Sequence, residues 1–226
     1  MSDLRLAVFD VDGTLADSQG EIVAAMRAAF ASENQVPPPR AKILSIVGLS
    51  LDRAMAQLAR DLDPVRQDRL VAAYKQAYFE QRVRNGASPL YAGALAALER
   101  LAQDPFLLLG VATGKSKRGL DALLEAHGLE RFFVTRQVAD FHPSKPHPAM
   151  LQAAFAEAAV GPGQAVMIGD TSFDIEMARA AGCAAIGVAW GYHPIARLDA
   201  DRVVTDFPAL PGTIAEILGA QEENRS

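Results

Sequence analysis

Leu6-Ala7-Val8-Phe9-Asp10-Val11-Asp12-Gly13-Thr14 runs an apolar strand pattern straight into two carboxylates and a glycine turn. Asp10 and Asp12 stand two residues apart, so in an extended chain they project to one side, where like charges resist joint ionisation unless a cation lies between them. A divalent metal with a phosphate meets that requirement. Gly13 allows a turn with positive φ, and the Thr14 hydroxyl can tie it. Taken alone, the segment reads equally well as a strand followed by a solvated Asp-Gly turn. The segments downstream decide between the two.

Later apolar runs end in the same manner. Residues 107–112 give way to Thr113-Gly114-Lys115-Ser116, and residues 165–168 to Gly169-Asp170-Thr171-Ser172-Phe173-Asp174. Between them stands Ser144-Lys145-Pro146-His147-Pro148. Apolar runs alternating with helix-period stretches predict a parallel α/β sheet, whose ligands sit beyond the carboxyl ends of the strands. Asp10, Thr113 and Asp170 then converge in one crevice. Further strands are expected at 132–135, 166–169 and 185–188, with a weaker edge at 203–204. Helices are expected at 91–103, 116–127, 149–159 and 173–181. Residues 221–226 read as a frayed tail.

After the first strand the chain does not cross to a second one. Ser18-Gln19-Gly20-Glu21 reads as a capping box that opens a helix with Ile22, Ala25, Met26 and Ala29 at helical spacing. Pro37-Pro38-Pro39 follows, then a helical stretch with Ile43, Leu44 and Val47 that ends at Gly48. Two more helices are marked by Leu51, Met55, Leu58 and Leu62, and by Leu70, Ala73, Tyr74, Ala77 and Tyr78, the second opened by Asp63-Pro64. This helical insert spans about residues 17–87. The turn-rich Asn85-Gly86-Ala87-Ser88-Pro89 is its return linker.

With 226 residues, 50% of them hydrophobic, the chain can build one sizeable core and a smaller lobe. The net charge of −5, from 22 basic and 27 acidic residues, comes without long like-charge blocks. This argues against a nucleic-acid partner or a polybasic membrane patch and for small-molecule partners. No apolar stretch approaches membrane-spanning length and no secretory apolar region precedes Asp10, so the expected location is cytoplasmic. Cys183 is the single cysteine, which excludes an intrachain disulfide and a thiolate metal cluster. Its small apolar flank reads as a buried thiol. His127, His142, His147 and His193 lack metal-ligand spacing.

The four motifs and the place of the insert resemble the haloacid dehalogenase-like superfamily, in its phosphoglycolate phosphatase-like branch, over nearly the whole chain. The resemblance implies an α/β fold in which residues 1–16 and 88–226 form a Rossmann-like parallel-sheet core. Residues 17–87 would form the inserted α-helical cap, a lid hinged near Leu15-Ala16 and Asn85-Gly86. It further implies magnesium-dependent hydrolysis of a phosphomonoester through an aspartyl-phosphate. Asp10 matches the nucleophile and Asp12 the general acid and base. Asp170 matches the metal ligand, holding Mg2+ with an Asp10 oxygen and the Asp12 carbonyl. Asp174 would steady the metal's water shell or Lys145; by itself it also reads as a helix N-terminal charge. Thr113, the Gly114 amide and Lys145 would hold the phosphate.

In the cap, Gly48-Leu49-Ser50-Leu51-Asp52-Arg53 matches the loop that closes over the core. Gly48 and Arg53 are its candidate substrate contacts, with Lys42 and Lys75 as further cations for a second anionic group. Phosphoglycolate is the leading substrate on this reading. A β-phosphoglucomutase-like phosphosugar isomerase is an alternative. It is disfavoured by Leu51, where those relatives place a basic residue, and by Thr113-Gly114-Lys115, where they read Ser-x-x-Lys. A non-catalytic phosphate-binding module is the other alternative.

Overall fold

Strand β1 (Arg5–Phe9) lies inside a six-stranded parallel sheet of order β3-β2-β1-β4-β5-β6, with β2 at Leu107–Thr113, β3 at Phe133–Val138, β4 at Ala165–Gly169, β5 at Ala184–Val188 and β6 at Arg202–Val204. The computed structural model describes residues 4–223. Both faces of β1 are buried: Leu6 and Val8 join one apolar cluster, while Ala7 and Phe9 join another. A strand covered on both sides reads as an unbroken apolar run, which is why β1, β2 and β4 show little alternation. The strand order reverses beside β1, and the carboxyl ends of β1, β2 and β4 open there into one crevice, as expected for a doubly wound sheet.

Four helices stand between β1 and β2 in sequence together with a fifth, α5 (Ala94–Leu101). They are α1 (Gln19–Ser32), α2 (Arg40–Leu44), α3 (Leu51–Leu58) and α4 (Pro64–Asn85). The first four share their own apolar cluster, with Met26, Phe30, Ile43, Met55 and Leu70 at its centre. Asp63 caps α4 by accepting a hydrogen bond from the Arg66 amide, and Pro64 fits the first turn. Where the chain leaves and re-enters the core, two segments are tied together. The Asp17 amide donates to the Pro89 carbonyl at 2.9 Å, and the Tyr91 amide donates to the Leu15 carbonyl at 3.0 Å. Leu15 and Ala16 are fully buried. Leu15-Ala16, where a hinge is expected, is thus buried and tied into the core.

The remaining helices are α6 (Lys117–His127), α7 (Ala149–Ala158), α8 (Ser172–Ala181) and α9 (Leu210–Glu223). Three local expectations change. The helix expected from residue 91 starts at Ala94, because Gly93 takes a left-handed conformation at its start. Strand β3 runs on to Val138, past the expected end at Thr135, because its pairing with β2 continues to Thr113. Helix α9 was not expected; Leu210, Ile214 and Leu218, four residues apart, bury against the sheet. It continues through Glu223, where a frayed tail was expected, and residues 224–226 lie outside the described residues.

Candidate active site

Asp10 follows β1 directly, and its amide donates to the Ile168 carbonyl of β4 at 2.9 Å, which sets the side chain at the strand ends. The residue is 1% exposed, and neither carboxylate oxygen accepts a hydrogen bond of good geometry. Burial pushes its pKa up from 3.8 to about 7; Asp174 and Asp12 add to the rise, while Lys145 and the Val11 amide oppose it. A buried carboxylate without hydrogen-bond donors is costly unless another cation or a proton serves it.

Lys145 supplies part of that service from the loop before α7. Its ammonium is buried, 3.0 Å from Asp10 Oδ1 and 2.6 Å from Asp174 Oδ1. Asp174 is fully engaged. Its other oxygen accepts from the Thr171 amide at 3.0 Å and the Thr171 hydroxyl at 2.7 Å. Asp170, just after β4, is also buried, accepting from the Thr14 hydroxyl at 3.0 Å and from the Tyr192 amide at 2.8 Å. Burial, then Asp174 and Asp10, raise its pKa well above the usual carboxylate range. The backbone crowds this side chain: a Cβ at Gly13, whose φ is 86°, would fall 2.2 Å from Asp170 Oδ2, and one at Gly191 would fall 2.0 Å from Asp170 Cβ. Only glycine fits at either place.

Asp10, Asp170 and Asp174 can each offer an oxygen such that the three lie within 4.8 Å of one another. Three buried carboxylates cluster here, and the Lys145 ammonium pairs with Asp10 and Asp174, so the charge that remains suits a divalent cation with hard oxygen ligands. Asp170 and Asp174 each already accept hydrogen bonds on both oxygens, so Asp10 is the most open donor of the three.

Asp12 turns to a different set of partners. Its Oδ1 lies 2.8 Å from Lys115 Nζ and its Oδ2 3.0 Å away, and Oδ1 also accepts from the Ser18 hydroxyl. Ser18 precedes α1 but does not cap it. The capping-box expectation fails because the hydroxyl is drawn to a buried carboxylate instead. Tyr192 OH lies 3.1 Å from both the Ser18 amide and its hydroxyl. The side chains of Lys115 and Ser18 are the site groups that the sequence reading missed. For Lys115 the available signal is a lysine two residues past a strand end, on the crevice side of the sheet. Thr113 is 1% exposed, lines the cavity with Gly114, and accepts from the Lys115 amide at 3.3 Å.

Asp10, Asp12, Thr113, Gly114 and Lys115 form the floor of a cavity of about 550 Å³ roofed by the helical insert. The segment between α2 and α3 rests on the core through several contacts. A Cβ at Gly114 would come within 2.7 Å of the Gly48 carbonyl, the Ser50 amide donates to Ser144 Oγ at 2.8 Å, and His193 Nε2 meets the Ser45 carbonyl at 3.2 Å. Gly48 lines the cavity. Arg53 does not: it is exposed on α3 and takes no part in the lining, because the helix turns it away while Ala54 faces inward. Lys42 is likewise exposed and outside; Lys75 lines the cavity, as do Arg82 and Arg118. His147 Nδ1 accepts from the Ala149 amide at 3.2 Å at the start of α7, and Trp190 Nε1 donates to the Thr14 carbonyl at 3.0 Å.

With this geometry in place, likeness to known proteins falls into one pattern. Residues 7–188 match the family described as haloacid dehalogenase-like hydrolase. A Dickeya dadantii (strain 3937) protein named "Probable phosphatase IndB" is 36% identical over 95% of this chain and 92% of its own length. The phosphoglycolate phosphatase of Pasteurella multocida (strain Pm70) is 31% identical over 92% of this chain and 96% of its own. Among solved structures, a hydrolase from Pseudomonas syringae superposes with a TM-score of 0.83 at 27% identity, covering 94% of this chain and 99% of that one. No described helix is long and apolar enough to cross a membrane.

Proposed function

Because the chain belongs to the haloacid dehalogenase-like hydrolase family and to its phosphoglycolate phosphatase-like members, we propose that it hydrolyses the phosphomonoester of a small cytoplasmic metabolite through an aspartyl-phosphate on Asp10, with Mg2+ as cofactor. The observation that carries this reading is the buried Asp10 carboxylate, whose oxygens accept no well-formed hydrogen bond although Asp170 and Lys145 stand beside it. Such a group is held ready for a cation and an electrophile.

In this reading Asp10 attacks phosphorus in line, and the leaving oxygen takes a proton from Asp12. Asp12 then accepts a proton from water as that water attacks the phosphoaspartate, which releases inorganic phosphate and restores Asp10. Ser18 and Lys115 orient the Asp12 carboxylate for both transfers. Lys145, the Thr113 hydroxyl and the Gly114 amide hold the phosphoryl oxygens, and Asp174 fixes Lys145. Asp10, Asp170 and the Asp12 carbonyl would hold Mg2+, which lowers the repulsion between an anionic nucleophile and an anionic ester. Residues 17–87 serve as the cap over a core of residues 1–16 and 88–226.

Phosphoglycolate, in the names of several relatives, is the first substrate to assay. An isomerase reading gains nothing from the cavity, where Leu51 supplies an apolar wall. The test is hydrolysis of phosphoglycolate and of an activated aryl phosphate with Mg2+ or with chelator, together with trapping of labelled phosphate. Metal-dependent turnover with label on Asp10 is expected, and label on any other residue overturns the assignment.

A further inference from the structure

Two arginines lie over the ring of Phe79 on α4. The Arg118 guanidinium, from α6 in the core, lies 4.5 Å from the ring centroid, and that of Arg82, also on α4, lies 5.5 Å from it. All three side chains line the catalytic cavity. A guanidinium stacked on a ring uses its face and leaves its in-plane N–H donors free for a planar or tetrahedral anion. Among the described residues no ion pair engages Arg82 or Arg118, although Asp52 and Asp140 share the cavity wall. Two stacked cations beside a cavity, without a carboxylate to satisfy them, are arranged for a ligand.

Their place along the helix fixes the reach. Tyr78 OH lies 3.2 Å from Lys115 Nζ, which holds Asp12. Arg82 is four residues further along α4, just over one helical turn or ~6 Å beyond Tyr78. A second anion bound there is separated from the phosphoester by several bonds. A cavity of about 550 Å³ is in the range that encloses drug-sized ligands, and a two-carbon ester leaves most of it to water.

Resting on the phosphatase reading above, we propose that Arg82 and Arg118 form a second-anion subsite. The substrate class is then a phosphomonoester whose leaving group carries a carboxylate or second phosphate several bonds from the ester oxygen.

The experiment compares kcat/KM for ω-phosphooxy carboxylates of increasing length with neutral alkyl phosphates of matched length, in the full chain with Mg2+. The wild type should favour the carboxylate, with the ratio rising from phosphoglycolate to longer members. Arg82→Gln and Arg118→Gln should each lower that ratio by roughly tenfold or more, the scale of a charge-assisted hydrogen bond. Arg53→Gln, outside the cavity, should keep it. A ratio within one enzyme cancels any general loss of folding or turnover. If a variant fails to fold, the wild-type length series still decides. A ratio near one at every length, or one unmoved by both substitutions, overturns the subsite while hydrolysis itself persists. Absence of hydrolysis of every ester instead overturns the phosphatase reading.

Discussion

Lys115 Nζ touches both oxygens of Asp12, at 2.8 and 3.0 Å, and reaches Tyr78 OH at 3.2 Å, so one ammonium joins the strand-end carboxylate of the core to helix α4 of the insert. Burial works against its charge, yet Asp12 and then Tyr78 hold its pKa above the usual lysine value. A bidentate, charge-assisted contact of this kind fixes the carboxylate rotamer. Lys115→Met should lower kcat by roughly 10²- to 10³-fold, because Asp12 loses its orientation and the site a cation. Tyr78→Phe removes only the outer contact and should act several-fold at most. Steady-state rates on esters with good and poor leaving groups check both; a near-normal Lys115→Met rate on poor leaving groups would refute the orienting role.

Lys145 has a structural task beyond its proposed phosphate contact, since its buried ammonium separates Asp10 from Asp174. Lys145→Met leaves two buried carboxylates facing each other, and breaking a buried pair in this way destabilises by roughly 3–5 kcal/mol. Adding Asp174→Asn should recover part of that loss, since it removes one of the two stranded charges. Urea unfolding of the single and double variants measures the coupling. Additive losses would show that Lys145 does not balance Asp174.

Most of this architecture is legible in the chain because it rests on local patterns. The apolar runs before Asp10, Thr113 and Asp170 mark strands whose ends must meet in a parallel sheet. Asp63-Pro64 and Gly128 mark the start and stop of helices through backbone chemistry alone. The groups that escape are those whose partners are distant in sequence. Ser18 has all the marks of a helix cap, yet a buried Asp12 outcompetes the helix amides for its hydroxyl. Arg53 and Lys75 are both candidate cap cations in the sequence, and only the rotation of α3 and α4 about their axes keeps one out of the cavity wall and places the other in it.

Cys183 is buried beside α8 and β5, and burial pushes its thiol pKa up to about 12. Thiolate, the reactive form, is then scarce at neutral and mildly alkaline pH. A disulfide-exchange reagent should leave the native protein unmodified and label one thiol after denaturation. Rapid labelling of the native chain at a rate independent of unfolding would contradict this burial.

His193 bridges the Ser172 amide of the core and the Ser45 carbonyl of the insert through its two ring nitrogens, and this makes stability sensitive to acid. Nδ1 accepts from the Ser172 amide at 3.2 Å, so Nε2 carries the proton and donates to the Ser45 carbonyl at 3.2 Å. Protonation puts a second N–H against the Ser172 amide and breaks that contact. Burial lowers the pKa of His193 below 6.5; Arg197 also lowers it, while the Ser45 carbonyl, Asp174 and Glu176 oppose the shift. The folded state thus binds fewer protons here than the unfolded chain, so stability rises with pH through this window. The contribution is present above the ordinary histidine value and is lost as pH falls through the lower, folded value. His193→Gln lacks this titration, so the wild-type advantage in Tm at about pH 8 should shrink by about pH 5. Parallel Tm profiles for the two proteins across that range would show that the imidazole does not titrate in the closed structure.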